Sequence, residues 1–256
     1  MGTKRVKQTR RDFLKSTTVV GGVALAASLL VPFDAILIAS EDPKDSSKIW
    51  WGYIIDIDKC IGCGRCANAC KNENDVPREP FFFRTWVEQY TIMNDGEVKV
   101  ESINGGIDGA VQTVPEDEIF KSFFVPKMCN HCYKSPCVQV CPVGATYDSP
   151  DGVVLVDDSY CIGCRYCVQA CPYGCRFINP EKNVADKCTF CYHRITKGID
   201  PACIEVCPTQ ARMYGNLNDQ EGPLVQYLKT HNCLTLKPHL NTGSKLFYNS
   251  LSAEVR

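Results

Sequence analysis

The chain has no surplus of either charge. Its 28 lysines and arginines face 29 acidic residues, a formal net charge of −1. Phosphate backbones are bound through clustered positive charge, so nucleic acid is excluded as a main partner. No Gly-rich phosphate loop is present, and no G-x-G-x-x-G follows a strand-like run. A nucleophile, base and orienting group in sequence-recognisable arrangement is also missing, so no small-molecule substrate of its own is expected. Regular apolar periodicity is scarce between residues 50 and 215, so little conventional core is legible. Residues 216–256 hold no apolar run long enough to span a bilayer. With 256 residues, 45% hydrophobic and 22% charged, the chain is nonetheless globular material for one or two domains.

What the chain has in abundance is cysteine, 18 in all. Sixteen fall into four compact groups of four, and neighbours two residues apart have poor disulfide geometry. Group three reads Cys161-Ile-Gly-Cys164-Arg-Tyr-Cys167-Val-Gln-Ala-Cys171-Pro172. This is C-x2-C-x2-C-x3-C-P, the spacing by which bacterial-type ferredoxins hold [4Fe–4S] clusters. Group one, Cys60, Cys63, Cys66 and Cys70, repeats it, with Lys71 in place of the proline. Group two is Cys129, Cys132, Cys137 and Cys141; group four is Cys188, Cys191, Cys203 and Cys207. Zinc also binds C-x2-C pairs, and a zinc-stapled interaction module is the remote alternative. The paired C-x2-C-x2-C-x3-C runs favour cubanes, and zinc would leave the protein colourless.

Taken in order, residues 1–40 read as an N-terminal signal or anchor. Thr9-Arg10-Arg11-Asp12-Phe13-Leu14-Lys15 resembles the twin-arginine export signal, and an uncharged run, Ser16 to Phe33, follows. Ala24-Leu25-Ala26 offers a cleavage site, while the apolar character beyond it suits a retained anchor; both readings stand. Residues 41–50 are the linker. Residues 51–71 and 188–215 form one split ferredoxin-like unit, and 129–187 a second. Residues 72–128 are an insertion expected to face a partner. Its aromatic run, Phe81-Phe82-Phe83-Arg84-Thr85-Trp86, fits either a core or a partner surface. Asn94-Asp95-Gly96 signals a hairpin, and Gly105-Gly106 a loop. Residues 216–256 read as a polar, loop-like tail.

The groups alternate in type, and each ferredoxin unit needs one of each plus a two-stranded sheet. Groups two and three are joined by a hairpin. Groups one and four must then share a sheet in which residues 51–57 pair with 211–215. The fold class expected is α+β: two bacterial-ferredoxin-like units, one inserted in the other, loop-rich and stapled by four clusters. The fourth cysteine of each run ligates the other cluster of its pair. Site a is then Cys60, Cys63, Cys66 and Cys207. Site b is Cys188, Cys191, Cys203 and Cys70. Site c is Cys129, Cys132, Cys137 and Cys171, and site d is Cys161, Cys164, Cys167 and Cys141. All ligands are cysteine, so four [4Fe–4S] clusters are expected. Cys175 and Cys233 are surplus; Cys175 reads as a small buried side chain or a substitute ligand. His131 and His193 lie in cluster loops, where a hydrogen bond is expected rather than ligation. Lys127, Lys134, Arg165, Arg176, Lys187 and Arg194 lie near thiolates and are candidates for raising potentials.

At Cys-Asn-His-Cys (129–132), Cys-Ile-Gly-Cys-Arg-Tyr-Cys (161–167), Cys-Pro-Tyr-Gly (171–174) and Pro-Ala-Cys-x-Glu-x-Cys-Pro-Thr (201–209) the chain resembles a known family. It is similar to the iron–sulfur subunits of the dimethyl-sulfoxide-reductase family, nearest the polysulfide, tetrathionate and thiosulfate reductase subunits and the nitrite-reductase-associated ferredoxin-like proteins. The likeness covers about residues 51–215. It implies a non-catalytic electron-transfer subunit, with partners in a molybdopterin catalytic subunit and an integral-membrane quinone-handling subunit. It also implies residence at the periplasmic face of the cytoplasmic membrane. The alternative is a ferredoxin-like carrier serving another catalytic partner, a multihaem nitrite reductase or hydrogenase.

Overall fold

A computed structural model describes residues 48–79, 81–110 and 113–255. The signal and anchor expectations for residues 1–40 fall outside these. Strand β1 (Trp51–Asp56) leads into group one and helix α1 (Arg65–Glu73). Strands β2 (Thr85–Met93), β3 (Val98–Glu101) and β4 (Ile119–Met128) follow. Then come α2 (Pro136–Gln139), β5 (Thr146–Asp148), β6 (Val154–Val156) and α3 (Tyr166–Ala170). The short β7 (Phe177–Ile178) and β8 (Ala185–Asp186) precede α4 (Tyr192–Ile195), α5 (Ala202–Glu205) and β9 (Arg212–Asn216). The chain closes with α6 (Pro223–Thr230), β10 (Cys233–Leu234) and β11 (Leu246–Asn249). No described helix is long and apolar enough to cross a membrane.

The pairing expected between residues 51–57 and 211–215 forms: β1 runs antiparallel to β9, with Tyr53 opposite Tyr214. Helix α1 packs against α5 beside it. The same arrangement recurs in the second half, where β5 pairs with β6 and α2 packs against α3. The β5–β6 turn is closed by Gly152 at φ +82°, a value glycine adopts without strain. Helices of four or five residues have no independent stability in water. Each begins or ends at a cysteine group, so the groups hold the helices.

The tail departs from the loop-like expectation. Strand β11 joins the sheet parallel to β1, giving the order β10-β11-β1-β9. Leu246 and Tyr248 are fully buried, and Tyr248 donates to the Pro126 carbonyl at 3.2 Å. Helix α6 starts with Pro223, buries Leu224 and Val225, and sends the Tyr227 hydroxyl to Asp56 Oδ2 at 2.7 Å. With neighbours on both edges, β1 buries all but its first residue. That makes Tyr-Ile-Ile a nearly continuous apolar run rather than an alternating one.

The insertion is a three-stranded antiparallel sheet, β3-β2-β4, turned at Asn94-Asp95-Gly96 as the sequence signals. Its inner face completes an apolar core that was not legible in the sequence: Val87, Tyr90, Val125 and Met128 pack with Tyr53, Ile55, Phe190, Leu246 and Tyr248. The aromatic run splits. Trp86 lies on β2 and Phe82 meets Phe177 at 5.5 Å, whereas Phe81 stands exposed. Only Thr85 and Trp86 of that run are in a strand.

Tyr248→Ala is expected to destabilise the loaded protein by about 3–5 kcal/mol, as large-to-small core changes do. Tyr248→Phe, which loses only the bond to Pro126, is expected to cost about 1 kcal/mol. Anaerobic denaturant unfolding distinguishes the two.

Candidate metal centres

None of the eighteen cysteines forms a disulfide, and most group members are buried. Burial pushes the Cys60 thiol up to about 11, with Cys66 and Cys207 adding to the effect. Cys66 in turn feels Cys63. The structure therefore brings Cys60, Cys63, Cys66 and Cys207 into one neighbourhood, with Cys203 of group four also close to Cys66. Burial raises Cys70 too, followed by the influence of Cys188, Cys203 and Cys191. Cys132 is pushed up to about 12 by burial and then by Cys129, with Cys137 and Cys171 adding to it. Cys161 and Cys167 share a small apolar cluster with Cys137, Val154 and Ala185. Cys141 lies just past α2, the helix that packs on α3. Cys63 and Cys164 are the two exposed group members.

The backbone around the groups treats these sulfurs as acceptors. Ala185 N–H donates to Cys161 Sγ at 3.3 Å, Ala211 to Cys207 at 3.3 Å and Thr146 to Cys141 at 3.5 Å. His131 and Phe190 donate to Cys129 and Cys188, each at 3.4 Å. The Asn74 amide reaches both Cys70 and Cys191. Such donors favour thiolate over thiol. Buried thiols resist ionisation, whereas coordination to a metal deprotonates them outright. A single zinc needs sulfurs about 2.3 Å from one centre. Among the described residues no three His, Cys, Asp or Glu side chains gather closely enough for one ion. Four thiolates around a cationic iron–sulfide core leave net negative charge on the sulfurs, and the N–H groups aimed at those sulfurs suit that charge.

Left-handed residues let the loops curl around each site. Gly62 and Gly163 hold equivalent places at φ +71° and +67°. A Cβ on Gly163 would lie 2.5 Å from the Asn183 carbonyl oxygen. The insertion packs tightly against the group-one loop while leaving Cys63 exposed: a Cβ on Gly64 would lie 2.0 Å from the Gly106 carbonyl oxygen, and one on Gly62 would strike the Phe124 ring. The residue before the second cysteine of groups two and four is also left-handed, His131 at φ +42° and Phe190 at φ +54°. Their rings meet at a tilt of 31° with centroids 3.7 Å apart. That contact sets groups two and four back to back, and Cys129 adds to the upward push of burial on Cys188.

The surrounding side chains now separate. His131 accepts from Val154 N–H on Nδ1 at 3.1 Å, and burial holds it well below the usual histidine range, so it is neutral. His193 is exposed and meets Glu73 at 2.7 Å. Lys127 pairs with Glu88 at 3.0 Å, and Arg194 pairs with both Glu73 and Glu205. Lys134 and Arg165 are exposed. Only Arg176 and Lys187 of the six flagged cations are buried without such an acid. Sequence reading missed Arg212, whose Nη2 donates to Cys66 Sγ at 3.2 Å and Thr85 Oγ1 at 3.0 Å. It also missed Tyr53, whose hydroxyl lies 3.2 Å from Cys203 Sγ. The only sequence signal for Arg212 is its place as the first strand residue after Cys207-Pro-Thr-Gln-Ala. Surplus Cys175 is buried, and its thiol donates to the Met128 carbonyl at 3.0 Å. Surplus Cys233 lies half-buried on β10.

Gly64→Ala is expected to remove iron from the site at Cys60, Cys63 and Cys66 while sparing the others, read as lost iron and one lost EPR signal. Protons compete with metal for thiolates, so chelator-driven iron loss is expected to accelerate as pH falls below neutrality. The bleaching rate of the visible absorption measures this.

Comparison with known proteins gives these sites a family. Residues 59–145 and 120–217 each match a 4Fe-4S dicluster domain. A tetrathionate reductase subunit of Salmonella typhimurium is 38% identical over 247 residues, covering 95% of this chain and 88% of that protein. A polysulfide reductase polypeptide of Wolinella succinogenes is 35% identical, covering 77% and 92%. Protein NrfC of Escherichia coli is 34% identical, covering 93% and 94%. Two dicluster domains make four [4Fe–4S] clusters. The chain belongs to the family of iron–sulfur electron-transfer subunits of reductase complexes, and is not itself their catalytic subunit.

Proposed function

We propose that this chain relays electrons between a molybdopterin catalytic subunit and an integral-membrane quinone-handling subunit of an exported respiratory oxidoreductase. The observation that carries the reading is how the fold pairs the cysteine groups: β1 against β9 and α1 against α5 join groups one and four, and β5 against β6 and α2 against α3 join groups two and three. Sites a to d take the ligands assigned above, in two ferredoxin-like units, one inserted in the other. The proximities among Cys60, Cys66 and Cys207, among Cys70, Cys188, Cys191 and Cys203, and among Cys129, Cys132, Cys137 and Cys171 support three of the sets. Packing of α2 on α3 supports the fourth.

When bound, the clusters supply one-electron carriers. The chain's own residues hold and shield them. Sixteen thiolates ligate, and backbone N–H groups of Ala185, Ala211 and Thr146 stabilise the sulfurs' negative charge. The His131–Phe190 contact links the loops of groups two and four, which supports an order in which sites b and c are neighbours and sites a and d lie at the ends. Cys63 and Cys164, flanked by exposed Ile61 and Ile162, give those ends access to partners. The twin-arginine-like start supports export of the folded, loaded chain to the periplasmic face of the membrane.

Anaerobic purification of the native complex tests this. Molybdenum, a membrane subunit and about 16 iron atoms per chain are the expected result. An intact complex without a molybdenum subunit overturns the partner assignment, and haem in its place supports the multihaem alternative. Cys171→Ser, made in a Cys175→Ala background so that the neighbouring thiol has no chance to substitute, is expected to perturb site c before site d. Loss of the site d EPR signal instead refutes the cross-ligation.

A further inference from the structure

Three buried cations lie between cysteine groups. Arg212, Lys187 and Arg176 are 4%, 1% and 5% exposed. None makes an ion pair with a carboxylate among the described residues. Lys71 and Lys245 are also buried, but they lie over the rings of Phe83 and Trp50 rather than between two sets of sulfurs. An uncompensated buried charge is strongly destabilising, so each of the three requires a counter-charge. Burial opposes each charge, and cysteines of two sets act against that opposition: Cys66 and Cys203 on Arg212, Cys129, Cys188 and Cys137 on Lys187, and Cys137, Cys129 and Cys167 on Arg176.

Arg212 touches Cys66 of site a through Nη2. On its other side Tyr53 links it to Cys203 of site b. Burial opposes the Arg212 charge, and Cys66, Tyr53 and Cys203 more than offset that opposition. Lys187 precedes Cys188 of site b, and its Nζ donates to the Cys188 carbonyl at 2.7 Å. The same ammonium donates to the Val154 carbonyl, and after the opposing effect of burial it feels Cys129 and Cys137 of site c as well as Cys188 of site b. Arg176 follows Cys171 of site c by five residues. Its Nη1 donates at 3.1 Å to Thr146 Oγ1, and Thr146 N–H in turn donates to Cys141 of site d. One Arg176 nitrogen, Nη2, is buried with no protein partner.

The two units reinforce the pattern. Arg212 is the first residue of the strand after group four, and Thr146 is the first residue of the strand after group two. The second unit has no arginine at that place in its strand. Arg176 reaches the same place from the loop after α3 and binds Thr146 there. A guanidinium thus occupies the equivalent junction in both units, supplied from different parts of the chain.

We propose that Arg212, Lys187 and Arg176 are positioning charges, one at each junction of the relay, that set the potentials of adjacent clusters in pairs: a with b, b with c, and c with d. This rests on the four-cluster reading above. Reduction adds one negative charge to a cluster, so a nearby buried cation favours the reduced form and raises the potential. A cation between two clusters raises both. Transfer across the junction moves one electron from the reduced member to its oxidised neighbour, with no bond broken and no proton moved. Because both potentials rise together, the difference between them across the junction is little changed.

Redox titration of the full loaded chain, followed by EPR, tests the proposal. Arg212→Gln is expected to lower the potentials of clusters a and b, Lys187→Met those of b and c, and Arg176→Gln those of c and d. Clusters outside each pair are expected to hold their wild-type values. Arg212→Lys and Arg176→Lys retain a charge but withdraw it from the sulfurs, so they are expected to shift the same pairs by less. These lysine variants decide the matter if a neutral variant fails to load. Potentials that stay fixed, a shift confined to one cluster, or an equal shift of all four overturns the pairing. Fewer than four clusters in the unaltered chain would instead refute the ligand assignment on which the pairing is built.

Discussion

Burial and ionisation of the cysteines pull in opposite directions, and the structure depends on how that conflict is resolved. Cys60, Cys132 and Cys137 are pushed up to about 11, 12 and 11 by burial, yet a ligand must be a thiolate. Metal coordination resolves it from within each site. The protein contributes from outside, with N–H groups aimed at sulfur and with guanidinium and ammonium groups buried beside it. Arg212 makes the dependence mutual. Without anionic sulfur it is a stranded buried charge, and without Arg212 the Cys66 sulfur loses a charged donor.

The same conflict explains the repeated architecture. A C-x2-C-x2-C loop, a left-handed residue, a short helix and a strand recur in both halves, so one local solution is used twice. What differs is the closure. In the second half, β5 and β6 are joined by a turn of five residues. In the first half, β1 and β9 come from opposite ends of the described chain and require β11 and the insertion sheet to hold them. The main apolar core draws on both halves, with Val153, Leu155 and Cys175 packed in one cluster with Tyr53, Ile55 and Tyr248, while a small patch of Val154 and Ala185 lies apart with Cys137 and Cys167.

Local spacing made the cysteine groups, the β5–β6 hairpin and the Asn94-Asp95-Gly96 turn legible, because each is encoded within a few residues. The β1–β9 pairing was legible by internal analogy between the halves. Strand β11 was not: Leu246-Phe-Tyr-Asn is too short for its alternation to stand out from a polar tail. Nor was the packing of the insertion against the group-one loop, since nothing local tells Gly64 that Gly106 will lie against it. The six cations flagged near thiolates looked alike until burial and acid partners separated them. Lys127 and Arg194 proved to be paired with carboxylates, and Arg212 gained its role only when β9 was placed beside β1.

The parallel seat of β11 against β1 also imposes an order on synthesis. Strand β1 emerges early from the ribosome, but its two neighbours lie roughly 160 and 195 residues further on. At about 5–20 residues per second, β1 waits on the order of 10–40 s before its sheet exists. Contacts of such separation also close slowly. The hairpin unit, complete within a span of some 60 residues, has no such wait. A nascent chain thus passes through a stage with one half formed and the other still open around Cys60 and Cys70. The sheet reaches its full width only once residues 246–249 have left the ribosome and seated beside β1.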